Sequence, residues 1–151
     1  MITSLRRLRG FRRDARSTGQ SLVEFALILP IFVLLVLVVF DFGRGIYTYN
    51  GLSEAARVIA RTTVVGNNPG IVLGSSVATQ RAVAAQQGLV PGLRVVSYEC
   101  LEFDGTPSTD DPCRTSGNLI KVTVASSYKP TALLGLGGPI ELSSSSSLQI
   151  P

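Results

Sequence analysis

The sequence has no histidine and no tryptophan, one methionine and only two cysteines in 151 residues. Without histidine there is no Ser-His-Asp or Cys-His pair to activate a nucleophile. Two cysteines without histidine fall short of the four N or S ligands of a structural zinc site. The one conspicuous acid pair, Asp110-Asp111, lies among turn residues and reads as solvated. No constellation nominates itself as catalytic, metal-binding or cofactor-binding, so an enzyme is the least favoured class and no cofactor is expected. Charge is also sparse, at 16%, against a hydrophobic content of 45%.

The apolar excess is concentrated. From Phe25 to Phe40 there is no charged residue, and only Ala26 and Pro30 fall outside the bulky apolar set. With Leu22, Val23 and Phe42 the stretch reaches roughly 20 residues, enough to cross about 30 Å of hydrocarbon as a helix. Net charge is +4, but residues 1–19 hold six arginines (Arg6, Arg7, Arg9, Arg12, Arg13 and Arg16) against Asp14 alone. A short basic tail beside an apolar span is retained in the cytoplasm, so the remainder is expected on the far side of the membrane. Because the basic run abuts the span and no basic face follows it, nucleic acid is not an expected partner.

An ordinary secretory signal would carry a small-x-small cut site after the apolar run. Here "DFGRGIY" follows instead, which disfavours cleavage there. A plain uncleaved anchor explains the arginines and the length, but not Gly19 or Glu24. A cut between Gly19 and Gln20 explains both: it discards the basic leader, keeps the span and makes Glu24 the fifth residue of the product. Glycine at Gly19 would let an extended backbone into a tight protease site.

"GQSLVEF" followed by an apolar run resembles the class III signal of type IV prepilins. The longer stretch Gly19 to Arg61 resembles the TadE-like domain of minor pilins from tight-adherence (Flp) pilus systems. Its carrying features are Gly19, Val23 to Leu27 with Pro30, Gly43-Arg44, and the "AAR…AR" pattern of Ala55-Ala56-Arg57 and Ala60-Arg61. The resemblance implies processing at Gly19 and Gln20 by a prepilin peptidase, with Glu24 and Phe25 serving processing and assembly. It also implies other pilin or pseudopilin subunits, an inner-membrane assembly platform and membrane lipid as partners. One departure is Gln20, where many type IV pilins carry an N-methylated phenylalanine.

A lone carboxylate within a span costs about 2.5–3.5 kcal/mol on insertion scales. Glu24 therefore needs a partner or a route to the interface. The α-amine that cleavage would create on Gln20, with a reference pKa of about 8, could pair with Glu24 of a neighbouring subunit. The alternative is snorkelling with no partner. Pro30 removes one helical hydrogen bond and is a candidate kink.

Beyond the span, Ile46, Tyr49, Leu52, Ala56, Ile59, Ala60 and Thr63 recur at helical spacing, predicting an amphipathic helix to about Val64. It would continue the span, and Gln20 to Val64 would extend about 67 Å. The "GRG" at 43–45 is the expected break or hinge, because two glycines weaken a helix. Glu54 can reach Arg57 at i+3. Arg57 and Arg61, four apart, could meet anionic lipid, an acidic partner pilin, or only water. "GNNPG" at 66–70 ends the helix.

The remainder reads as a small domain. Ser75 to Gly88 is a second helix, with Gly88 at its C-cap. Leu93 to Phe103 and residues 118–128 are strands. In the latter, Ile120, Val122 and Val124 alternate with Lys121, Thr123 and Ala125. Residues 139–150 are either a third strand with a serine face or a frayed low-complexity tail. "GLGG" at 135–138 is a turn and not a phosphate loop. Cys100 and Cys113 suit a disulfide if the domain is outside the cytoplasm, and two free thiols otherwise.

The expected fold class is α+β: a long pilin-like N-terminal transmembrane and amphipathic helix, then a small antiparallel sheet domain with a second short helix. The expected segments are a leader at 1–19, the TadE-like helix at 20–65 and an extracytoplasmic domain at 66–151. The two competing functions are a processed minor pilin or pseudopilin, and an uncleaved single-span protein whose outer domain binds a ligand or surface.

Overall fold

The computed structural model describes residues 15–68, 71–109, 113–131 and 138–151, with side chains from Gly19 onward. The expectations for the leader before residue 15, for Asp110-Asp111, for residues 69–70 of "GNNPG" and for 135–137 of "GLGG" lie outside the described residues. Elements follow the order α1 (Ala15–Val65), α2 (Val77–Leu89), β1 (Arg94–Leu101), β2 (Leu119–Tyr128) and β3 (Ile140–Gln149). The fold is α+β: a long apolar helix, a short second helix and a three-stranded antiparallel sheet.

The chain divides into two compact units, Met1–Leu37 and Val38–Pro151. In the first, the described residues are all α1, and their large apolar side chains are exposed, Phe25 and Phe32 among them. In water that surface would be untenable as a contiguous patch. Among the described residues, α1 is the one helix long and apolar enough to cross a membrane.

The second unit has a core because α1 changes character within it. Leu52, Ala55, Ala56, Ile59, Ala60 and Thr63 are buried, forming an inward stripe at three-four spacing. They pack with Ile120, Val122 and Val124 of β2, with Val90 and Leu93, and with Cys113. Burying each of the large aliphatic residues contributes about 1.5–3 kcal/mol relative to exposure. The alanines and Thr63 let the helix lie close to the strands. Gly51 is a stricter case: a Cβ there would stand 2.8 Å from Val90 Cγ2.

The sheet order is β1-β2-β3, with β2 central. Ile120, Val122, Val124 and Ser126 of β2 stand opposite Leu148, Ser146, Ser144 and Leu142 of β3, on the inward face. The serine run is thus strand, with Ser144 and Ser146 half-buried and Ser143, Ser145 and Ser147 exposed. Ser144 Oγ meets Ser53 Oγ of α1 at 3.1 Å. Ala125 points outward but is only 4% exposed. The Arg94–Glu141 ion pair joins β1 to β3 across it, since Arg94 and Ser143 both stand opposite Ala125.

Several expectations are corrected. α1 runs unbroken through Gly43-Arg44-Gly45, so there is no break at "GRG". Local propensity there costs about 1 kcal/mol per glycine, but the Arg44 side chain ties to Asp41 and Thr131 and holds the helix from outside. Gly88 lies inside α2, whose C-cap is Val90. The following Pro91 drives Val90 to extended backbone and so sets the stop. At the other end Ser76 is the N-cap, and its side chain accepts from Thr79 N. β1 ends at Leu101, because Glu102 N donates to Thr106 O and closes a turn. Among the described residues the ion pairs are Arg44–Asp41, Arg94–Glu141 and Lys121–Glu99, so Glu54 and Arg57 do not pair. Ile46 and Tyr49, expected in the core, are about half-exposed, because their level on α1 lies at the Tyr128–Ile140 end of the sheet.

Candidate functional site

Gly19, Gln20, Glu24 and Phe25 follow one another on α1 in the first unit, all exposed. Gly19 is helical, not extended, and nothing lies within 4 Å of where its Cβ would be. An extended conformation there requires the helix to unwind locally, which glycine resists less than any residue but proline. Gln20 and Glu24 are one turn apart and share a helix face. A helix beginning at Gln20 would carry Glu24 near its N-terminal end, where free N–H groups favour a carboxylate. Pro30 sits inside α1, and the helix continues on both sides of it. It leaves the Ala26 carbonyl without its usual helical donor.

Arg57 and Arg61 belong to the second unit. With Asn50, Glu54 and Val65 they form the exposed stripe of α1, opposite the core. The structure brings Gly19 to Phe25 together on one helix segment and sets the two arginines in a separate one.

A second polar feature was not anticipated. Asp41 is 7% exposed, although its neighbours Phe40 and Phe42 are open. Thr131 Oγ1 donates to Asp41 Oδ1 at 2.6 Å, and the Tyr128 hydroxyl donates to the Asp41 carbonyl at 2.8 Å. Arg44 Nη1 lies 3.7 Å from Asp41 Oδ1, and the same nitrogen donates to Thr131 Oγ1 at 3.3 Å. The Arg44 guanidinium also stands 5.9 Å from the Tyr128 ring centroid, a cation–π distance. The cluster bolts the C-terminal end of β2 to α1. Partial burial, and then the Asp41 carboxylate, raise the Tyr128 hydroxyl pKa, with Arg44 opposing. A signal for this site was present in "FDFGR": a lone acid between two phenylalanines, with a cation at i+3.

At the opposite end of the sheet a disulfide joins Cys100 of β1 to Cys113, with Cα atoms 5.5 Å apart. Asn67 Nδ2, just past α1, donates to the Cys113 carbonyl. The covalent tie and the hydrogen bond together fasten β1 and the loop to the helix end. Among the described residues no group of three or more cysteine, aspartate or glutamate side chains is placed to hold a metal ion.

Residues 19–61 match the family described as TadE-like protein. The chain carries a TadE-like segment. The match begins at the glycine ahead of Glu24, takes in the apolar run and the Asp41–Arg44 pair, and ends at Arg61. It covers under a third of the sequence, all of it within α1. α2 and the sheet lie beyond it. No curated protein matches the chain. The TadE-like segment connects the protein with Tad pilus systems and with pilus components in general.

Proposed function

We propose that the protein is a minor pilin or pseudopilin of a Flp (Tad) type IV pilus assembly system. A prepilin peptidase removes residues 1–19, and the remaining chain is stored in the inner membrane by the apolar part of α1. Its N-terminus starts in the cytoplasm and the sheet domain lies outside it. The role is structural and not catalytic: the subunit helps to initiate, cap or modify the fibre. The assembly platform and the other pilins are its partners.

The observation that carries this reading is the ordered set Gly19, Gln20, Glu24 and Phe25 at the head of a TadE-like segment that is one uninterrupted helix. Glu24 is exposed on the isolated chain, so its carboxylate is available to the α-amine of Gln20 in a neighbouring subunit. In the low dielectric between packed apolar helices, such a pair would set axial register.

Glu24→Leu tests this. It should be inserted and processed as the native chain is, yet fail to co-purify with the other pilin subunits. Normal co-assembly of Glu24→Leu would remove Glu24 from the mechanism. Mature protein that retains Met1 to Gly19 would favour the uncleaved single-span alternative.

A further inference from the structure

The second unit contains an open apolar groove of about 550 Å³. One wall is α1, through Val38, Phe42, Ile46 and Tyr49; the other is the end of the sheet, through Tyr128, Pro130, Ile140 and Leu142. We propose that this groove is a lipid contact: the Tyr128–Ile140 end of the sheet rests on the bilayer that holds α1, and phospholipid acyl chains fill the groove. The inference rests on the membrane placement proposed above.

Three observations lead to it. The first is continuity. Val38, Phe42, Ile46 and Tyr49 recur at helical spacing, and Val38 and Phe42 belong to the apolar run itself. Within the second unit, the apolar stripe that begins at Val38 and Phe42 therefore continues without interruption along the groove and meets Ile140, half-exposed on the sheet. The second is chemistry. The one charged residue of the lining, Asp41, is engaged by Thr131, Tyr128 and Arg44, which leaves walls suited to hydrocarbon and not to a polar ligand. The third is the band at the same level. Tyr47 is 75% exposed, Tyr49 is half-exposed, and the Arg44 side chain is 60% exposed. Tyrosine is enriched at membrane–water interfaces, and arginine reaches from apolar surroundings toward headgroups. The band stands about half a turn to two turns beyond Phe42, where a span ending there would meet headgroups.

The antiparallel order places the distal end far from this surface. β1 and β3 run away from it and β2 returns to it, so Phe103, beyond the end of β1, stands at the other end of the sheet.

Because the chain has no tryptophan, single tryptophans report depth. Ile140→Trp and Ile46→Trp, on opposite groove walls, Phe32→Trp in the apolar run and Phe103→Trp at the distal turn are reconstituted as full chains. The vesicles are phosphatidylcholine brominated at shallow acyl positions, phosphatidylcholine brominated near the acyl termini for the mid-span Phe32→Trp, or, for comparison, unbrominated. All four native residues are exposed, so the substitutions are accommodated, and matching circular dichroism checks this.

Ile140→Trp, Ile46→Trp and Phe32→Trp should lose most of their emission in brominated vesicles, and Phe103→Trp should not. If Phe32→Trp is quenched while both groove tryptophans behave like Phe103→Trp, the groove does not hold lipid and the membrane placement stands. If Phe32→Trp is itself unquenched, the membrane placement fails and the groove proposal with it.

Discussion

The disulfide gives the most calculable perturbation. Cys100 and Cys113 are 13 positions apart, so the bridge closes a loop of about 14 residues. In the chain-entropy treatment, such a loop removes about 10 cal/mol/K from the unfolded ensemble, or about 3 kcal/mol at 25 °C. Cys113 is 1% exposed and belongs to the core, so truncation to alanine adds a packing loss to the entropic one. Cys113 also has φ 59°, which an alanine would carry with the same strain, so the backbone term cancels in the comparison. The double variant Cys100→Ala/Cys113→Ala should therefore be destabilised by at least about 3 kcal/mol. For a unit of this size that corresponds to a fall in Tm of roughly 10–20 °C. Near-UV circular dichroism of the detergent-solubilised protein reads it, because Tyr98 packs against the core, whereas Tyr47 and Tyr49 of α1 are exposed and contribute a weaker signal. Oxidised protein, protein treated with a reductant and the double variant are heated in parallel. Coincident transitions for the oxidised and reduced forms would refute the claim that the loop constraint stabilises this domain.

Three further outcomes follow from single contacts. Gly51→Leu should destabilise the domain by about 1–3 kcal/mol through overpacking against Val90, and adding Val90→Ala should recover part of that loss in a denaturant titration; no recovery would mean the contact at 2.8 Å is not the cause. Asp41→Ala should cost about 1.5–3 kcal/mol, since it strips the acceptor from Thr131 and the partner from Arg44, whereas Asp41→Asn should cost less; equal losses would point to packing instead. The Ser97 hydroxyl, and then Lys121, lower the Glu99 pKa. A lowered carboxylate pKa adds stability above the ordinary glutamate range, which is lost as pH falls through the folded-state value; Glu99→Gln should flatten that part of the stability–pH curve, and an unchanged curve would assign the slope to other groups.

Much of the architecture is visible in the residues because one pattern dominates each element. The charge-free run from Phe25 to Phe40 marks a long apolar helix and, with its flanks, a candidate membrane span, and the structure shows that helix with its apolar side chains exposed. Ile120, Val122 and Val124 alternate with polar neighbours and so declare a half-buried strand. What local pattern misled about was decided by tertiary contacts. Gly43 and Gly45 weaken a helix in isolation, but here Arg44 is tied to Asp41, Thr131 and Tyr128 and the helix persists. Gly88 looks like a terminator, yet Pro91 ends the helix two residues later. Ala125 alternates outward as expected but is covered by an ion pair between two strands that sequence alone does not bring together. The Gly19 to Phe25 motif, for which processing is proposed, is local and therefore readable. The Asp41 cluster is not, because Tyr128 and Thr131 lie 87 and 90 positions away from it.

The central claim is that the chain is cut between Gly19 and Gln20 and retains its apolar helix. Intact mass spectrometry of membrane-extracted protein, from cells with and without an active prepilin peptidase, tests it most directly. The account expects a product beginning at Gln20 only where the peptidase is active, and that mass also reveals whether Gln20 keeps a free amine for Glu24 to meet. Mature protein still beginning at Met1 in the presence of the active peptidase would contradict it.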